Sequence, residues 1–146
     1  MLLAAAVIKA CTLLTAADVA SVQGEKPGRA RESSPRPGVS QCLVALPAAR
    51  SVSLEVRQGA RVAELAVRLR QAAEVEAQEA GENEEHAVEV VPGLGDEAFW
   101  AVGDGGLYVR RGATLLRLTS GGEESKEVKL GKLRVLAEKV LGRLPK

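Results

Sequence analysis

Ser51-Val52-Ser53-Leu54-Glu55-Val56-Arg57 sets apolar Val52, Leu54 and Val56 against polar Ser53, Glu55 and Arg57 at every second position. A period of two is the pattern of a strand with one face in a core and the other in water. Gln41 to Leu46 is a second β-rich run just before it, and Pro47-Ala48-Ala49-Arg50 is a connection short enough for a hairpin. Gly59 ends the pair. Hairpins place neighbouring strands antiparallel, whereas parallel strands need a long crossover, so this stretch fixes the kind of sheet to expect.

On the C-terminal side, Arg61 to Ala80 repeats Val62, Leu65, Ala66, Leu69, Ala72 and Ala73 at spacings of three and four. Glu64, Arg68, Gln71 and Glu74 take the other face, as in an amphipathic helix. Gly81 stops it, and His86 to Val91 can form a strand leading into Val91-Pro92-Gly93-Leu94-Gly95-Asp96-Glu97-Ala98-Phe99-Trp100. Beyond that loop, Glu97 to Val102, Leu107 to Arg111 and Ala113 to Thr119 read as three strands. Gly103-Asp104-Gly105-Gly106 and Gly112 are their turns. A final helix is capped near Ser125 and runs to about Leu144. Its stripe is Leu130, Leu133, Ala137, Val140, Leu141 and Leu144, and Pro145 follows.

On the N-terminal side, Gly24 to Ser40 is rich in Gly, Pro, Ser, Arg and Lys and reads as a mobile loop. Before it, Thr15-Ala16-Ala17-Asp18 is a capping sequence that opens a helix over residues 15–23, with Leu14, Val19 and Val22 available for burial. The expected fold is α+β: an antiparallel sheet of about five strands, helices mainly on one face, order α-β-β-α-β-β-β-α. Cys42–Ala80 and Leu107–Leu144 are both hairpin-then-helix, a loose internal echo without shared residues.

The 146 residues fit one domain, residues 11–146, large enough for a core. Phe99, Trp100 and Tyr108 are the only aromatics, so that core must be built from Leu, Val and Ala. A net charge of +1 gives no basic excess for nucleic acid, and no aromatic platform replaces it. Residues 1–10 read as the remnant of a signal peptide or, alternatively, as an N-terminal strand or frayed helix. No run reaches the roughly 18–20 apolar residues of a transmembrane helix. Cys11 and Cys42 leave three options open: one bridge, two buried reduced thiols, or lipidation of Cys11.

Cys11-Thr12-Leu13-Leu14-Thr15-Ala16-Ala17-Asp18-Val19 resembles the opening C-x-L-L-T-x-x-E/D-V of small secreted bacterial lipoproteins. Gly24, a strand begun by Cys42, Gly93-Leu94-Gly95-Asp96-Glu97-Ala98, a strand pair around Leu107-Tyr108-Val109 and a Leu/Ala-rich last helix extend the resemblance over most of the chain after residue 10. It implies an extracytoplasmic domain with Cys11 paired to Cys42, and it carries no activity to transfer. A full signal peptide and a lipidation cysteine, usual before that motif, are not seen here.

Candidate chemistry is sparse. Gly93-x-Gly95-Asp96 lacks the third glycine and the following helix of a dinucleotide loop, so no cofactor is expected and the glycines read as a tight turn. One histidine and two cysteines without C-x-x-C or H-E-x-x-H spacing give no zinc site. The six glutamates from Glu74 to Glu85 lack a calcium-loop pattern and read as a solvated helix end. Lys26, Arg29, Arg31 and Arg36 could touch an anionic surface, although Glu25 and Glu32 offset them.

The functional expectation is a non-enzymatic cell-envelope domain, in the periplasm or at the cell surface, that binds a small ligand or an envelope protein. Phe99, Trp100 and Tyr108 mark the candidate interface. The alternatives are a small hydrolase using His86 with Asp96 or Glu97, a purely structural interaction module, and a cytoplasmic location.

Overall fold

The computed structural model describes residues 8–47, 50–79 and 88–145. Helix α1 (Ala10–Leu13) and helix α2 (Ala16–Gln23) lead into strands β1 (Ala30–Arg36), β2 (Val39–Val44) and β3 (Val52–Gln58). Helix α3 (Val62–Glu79) follows, then β4 (Val88–Val90), β5 (Glu97–Ala101), β6 (Gly106–Arg111), β7 (Thr114–Ser120) and helix α4 (Lys126–Arg143). Among the described residues the strands form one antiparallel sheet in the order β1-β2-β3-β7-β6-β5-β4. It is two meanders joined through β3 and β7, whose register sets Leu54 opposite Leu118 and Val56 opposite Leu116.

The α+β class holds, with seven strands rather than about five. The two added strands are the edges: β4, where His86 to Val91 can form a strand, and β1, in a stretch whose composition suggests a loop. In β1, residues Arg31 to Arg36 are exposed and carry no apolar alternation; the Cys11 N–H of α1 reaches Glu32 Oε1 at 3.1 Å, and only Ala30 packs against the core. What makes β1 a strand is the ladder to β2, which pairs Arg31 with Leu43 and Ser33 with Gln41 across the Pro37-Gly38 turn. Charges, Pro35 and a register irregularity between Ser33 and Arg36 suit a sheet edge that must not recruit further strands. At the other edge, β4 spans Val88–Val90 among the described residues.

The main core lies between one sheet face and helices α1, α2 and α4. Val52, Leu54 and Val56 of β3, Leu116 and Leu118 of β7, and Leu107 and Val109 of β6 meet Leu133, Leu136, Ala137 and Val140 of α4 there. Ser125 caps α4 by accepting from the Val128 N–H, as its position suggests. Thr15 and Asp18 form the full capping box of α2, and Gly24 ends that helix in the left-handed conformation. Of the first ten residues, 1–7 lie outside the described residues, and residues 8–10 belong to this layer. The Ile8 N–H donates to Gln58 Oε1, the Ala10 N–H donates to Ser40 Oγ, and Ala10 is fully buried.

Helix α3 lies on the opposite face, over β4 to β7. The alternation of the strands supplies its seat: Leu115 under Val62 and Ala66, then Phe99, Ala101 and Tyr108 near Leu69 and Ala73. Ala72, expected on its apolar stripe, is exposed. The two hairpin–helix units therefore send their helices to opposite faces, and the sequence echo is not a structural repeat. Because α3 must carry the chain from central β3 to the far edge at β4, it leaves the β1–β3 half of its face bare.

Candidate functional site: the open half of the sheet

Side chains at every second position of β1, β2 and β3 point to the bare half-face. Arg31 and Ser33 stand beside Leu43 and Gln41, which stand beside Ser53 and Glu55. Arg117 follows across β7, opposite Glu55. Together they line a concavity of about 300 Å³. Its polar groups are held in place by one another. Ser33 Oγ donates to Gln41 Oε1 at 3.3 Å, and Gln41 Nε2 donates to Glu55 Oε1 at 3.0 Å. Arg57 Nε donates to Glu55 Oε2 at 3.0 Å, and the hydroxyls of Ser53 and Thr119 are hydrogen-bonded to each other.

Arg117 is anchored at the border of this concavity by Asp104, from the turn between β5 and β6, and by Tyr108 of β6. Its Nη2 donates to Asp104 Oδ1 at 2.5 Å, and its Nε donates to Asp104 Oδ2 at 3.1 Å and to the Tyr108 hydroxyl at 3.0 Å. The Tyr108 hydroxyl donates to Asp104 Oδ2 at 2.5 Å. Gly106 makes the approach feasible, since a Cβ there would lie 3.1 Å from Asp104 Oδ2 and 3.3 Å from Arg117 Nε. Tyr108 also stacks on Phe99, with centroids 4.9 Å apart and planes 10° from parallel.

These contacts set the ionisation of the group. Burial raises the Asp104 carboxyl, but the hydrogen bonds from Arg117 and Tyr108 outweigh it and hold the carboxyl below its ordinary value. Burial, and next the bond to Asp104, push the Tyr108 phenol up to about 12. Burial opposes the charge on Arg117, yet its bond to Asp104 and the attraction of its neighbours hold it above its ordinary value. The result is a fixed guanidinium whose Nη1 takes no part in these bonds, facing a mixture of donors and acceptors. Such an arrangement suits recognition of a small polar molecule.

The residues marked by the sequence fall elsewhere. Phe99, Trp100 and Tyr108 are all buried and do not form an exposed aromatic patch. Consecutive strand residues point to opposite faces, so Trp100 enters the main core while Phe99 and its cross-strand partner Tyr108 go beneath α3. The Trp100 indole N–H has no acceptor among the described residues. Asp96 accepts from the Gly112 N–H at 2.7 Å and, with Glu97, pairs with Arg110. Both carboxylates thus fasten the β5–β6 region, and His86 lies outside the described residues. Cys11 and Cys42 form a disulfide, with Cα atoms 5.0 Å apart, that ties α1 to β2.

Arg31, Ser33, Gln41, Ser53 and Glu55 escape a reading by motif because they are ordinary polar residues on wet strand faces. The Pro37-Gly38 pair between Arg36 and Val39 is the signal that could have paired β1 with β2 and brought them together. Among the described residues, no three His, Cys, Asp or Glu side chains are grouped to hold a metal ion, and no helix is long and apolar enough to cross a membrane. No protein-family model, curated protein or solved structure matches the chain at a significant level.

Proposed function

We propose that this chain is a non-enzymatic, extracytoplasmic binding domain that seats a small polar ligand in the concavity over β1–β3. The observation carrying the reading is the bare half-face itself. Seven of its side chains, from Arg31 to Arg117, are mutually braced or fixed by register around an open volume of about 300 Å³. That size fits a ligand at the small end of ordinary binding sites. The disulfide favours an oxidising compartment, since such bridges persist mainly outside the cytosol. The likeness of Cys11–Val19 to secreted lipoproteins points the same way. The hydrolase alternative draws no support from Asp96 and Glu97, each of which has one oxygen engaged by Arg110 or Gly112.

The test is amide chemical-shift mapping of the oxidised protein against a panel of sugars, amino acids and small carboxylic acids. Shifts centred on Gln41, Leu43 and Ser53, lost in Ser53→Leu, are expected for at least one compound. Shifts that consistently centre elsewhere, or a silent panel, would overturn the reading. Turnover of a generic ester that disappears in His86→Ala would favour the hydrolase instead.

A further inference from the structure

We propose a second site, specific for a phosphate ester, in the groove where the β1–β2 hairpin meets the start of α3. It shares no lining residue with the concavity over β1–β3 and encloses about 230 Å³. Four arginines line it: Arg36 and Arg57 from the strands, Arg61 just before α3, and Arg68 within it. Arg61 and Arg68 are seven residues apart, two helical turns, and so share one helix face. Half-buried Leu65 supplies apolar surface beside them, over the buried Val39 and Val62.

The groove is built rather than incidental. The Gln58 N–H donates to the Gly38 carbonyl at 2.8 Å, holding the hairpin turn against the end of β3. Gly38 has φ 79°, and a Cβ there would lie 3.0 Å from the Gln58 carbonyl oxygen, so the turn is drawn in closely. The Val62 N–H donates to the Gly59 carbonyl at 3.4 Å and starts the helix immediately after the strand. Arg36, which the sequence places in a loop, is thereby carried next to three other arginines.

The charge balance favours an anionic ligand. The whole chain has a net charge of only +1, yet four arginine residues line this one groove. Among the described residues, Arg57 is paired with Glu55, while Arg36, Arg61 and Arg68 make no ion pair. Like charges held together repel, and an anion between them removes that cost. Guanidinium forks match the several oxygens of a phosphate group, which can accept from more than one arginine at once. The adjoining Leu65, with Val39 and Val62 beneath it, favours an ester that carries an apolar portion over a bare ion.

Such a group could come from a phospholipid surface or from a soluble phosphate ester, and two probes separate them. One is phosphatidylcholine vesicles with and without phosphatidic acid, read by co-sedimentation. The other is phenyl phosphate, read by amide shifts at Val39, Gly59 and Leu65. Binding only to the phosphatidic acid vesicles identifies a lipid source, and binding to phenyl phosphate identifies a soluble one. In either case the R61Q/R68Q double variant is expected to weaken binding about tenfold or more and to melt no lower than the parent. The K26Q/K129Q variant, with the same change in net charge elsewhere on the surface, is expected to bind as the parent does. If the double variant fails to fold, Arg68→Gln alone carries the test with a loss of about threefold. The proposal is overturned if neither probe binds, if binding survives R61Q/R68Q, or if K26Q/K129Q loses it equally. Tighter binding to single-stranded nucleic acid than to both probes would also overturn it.

Discussion

Asp18 and Arg143 lie 125 residues apart and meet in a two-pronged ion pair that fastens α2 to the last turn of α4. Arg143 Nη1 donates to Asp18 Oδ2 at 2.5 Å and Nη2 donates to Oδ1 at 3.0 Å. The same Nη1 reaches the Leu13 carbonyl at 2.7 Å, and Asp18 also accepts from the Thr15 N–H at 2.9 Å. One carboxylate therefore caps a helix and clamps two others to it.

The bond from Arg143 lowers the Asp18 carboxyl, against the opposing effect of burial, to about 2 from its ordinary 3.8. The unfolded chain then takes up this proton first. The pair's contribution is present in full above about pH 4 and is lost as pH falls through about 2. It amounts to about 1–2 kcal/mol once the partial exposure of Arg143 is allowed for. Asp18→Asn should lower stability at neutral pH by that amount. It should also flatten the acid limb of stability against pH, measured by urea unfolding from pH 6 to pH 2. An unchanged acid limb would show that the pair is not the titrating element.

The Cys11–Cys42 bridge closes a loop with a sequence separation of 31. In the chain-entropy treatment, a loop of this length stabilises the fold by about 3–4 kcal/mol. Alkylation of the native protein should label neither cysteine until it is reduced, as read by intact mass. The C11A/C42A variant should unfold at correspondingly lower denaturant. The emission of Trp100, the one tryptophan and a buried one, follows that transition directly.

Gly95 and Gly112 both adopt left-handed backbone, with φ 55° and 57°. Their surroundings differ. A Cβ on Gly95 would lie 2.6 Å from the Arg110 carbonyl oxygen and 2.9 Å from Val109 Cγ1, whereas one on Gly112 meets nothing within 4 Å. Gly112→Ala should therefore cost about 1 kcal/mol from backbone conformation alone. Gly95→Ala should cost about 2–4 kcal/mol, because the chain must also move apart. Equal melting temperatures for the two variants would contradict this.

Tyr108 is the only tyrosine, so tyrosinate absorbance reads it without interference. Its midpoint should fall near 12 in the native protein and near 10 after unfolding. A folded value raised in this way means that stability present below pH 10 is lost as pH rises towards 12. Asp104→Asn removes an anion that opposes tyrosinate and should lower the native midpoint. A midpoint near 10 in the folded protein would mean that the Asp104–Tyr108–Arg117 group is not formed.

Much of the architecture is written locally. Thr15-Ala16-Ala17-Asp18 specifies its own cap, and the alternation of Val52, Leu54 and Val56 specifies a half-buried strand wherever it lies. The turn at Gly93-Leu94-Gly95 is legible for a similar reason, since few residues tolerate that backbone. β1 is not legible, because an edge strand whose residues Arg31 to Arg36 are all exposed has no hydrophobic period and exists only through its partner. The aromatic pair misleads for a related reason: adjacency along a strand says nothing about which layers cover its two faces.

The sequence alone determined the α+β class, the bounds of the long helices and the antiparallel hairpins, since each depends on contacts within a few residues. Only the tertiary structure decided that α3 and α4 take opposite faces, that β1–β3 stays half bare, and that Arg36 joins Arg57, Arg61 and Arg68. Those outcomes depend on which distant surfaces can be buried together. A charged or polar side chain shows no preference along the chain until packing decides which groups stand beside it and which stay in water.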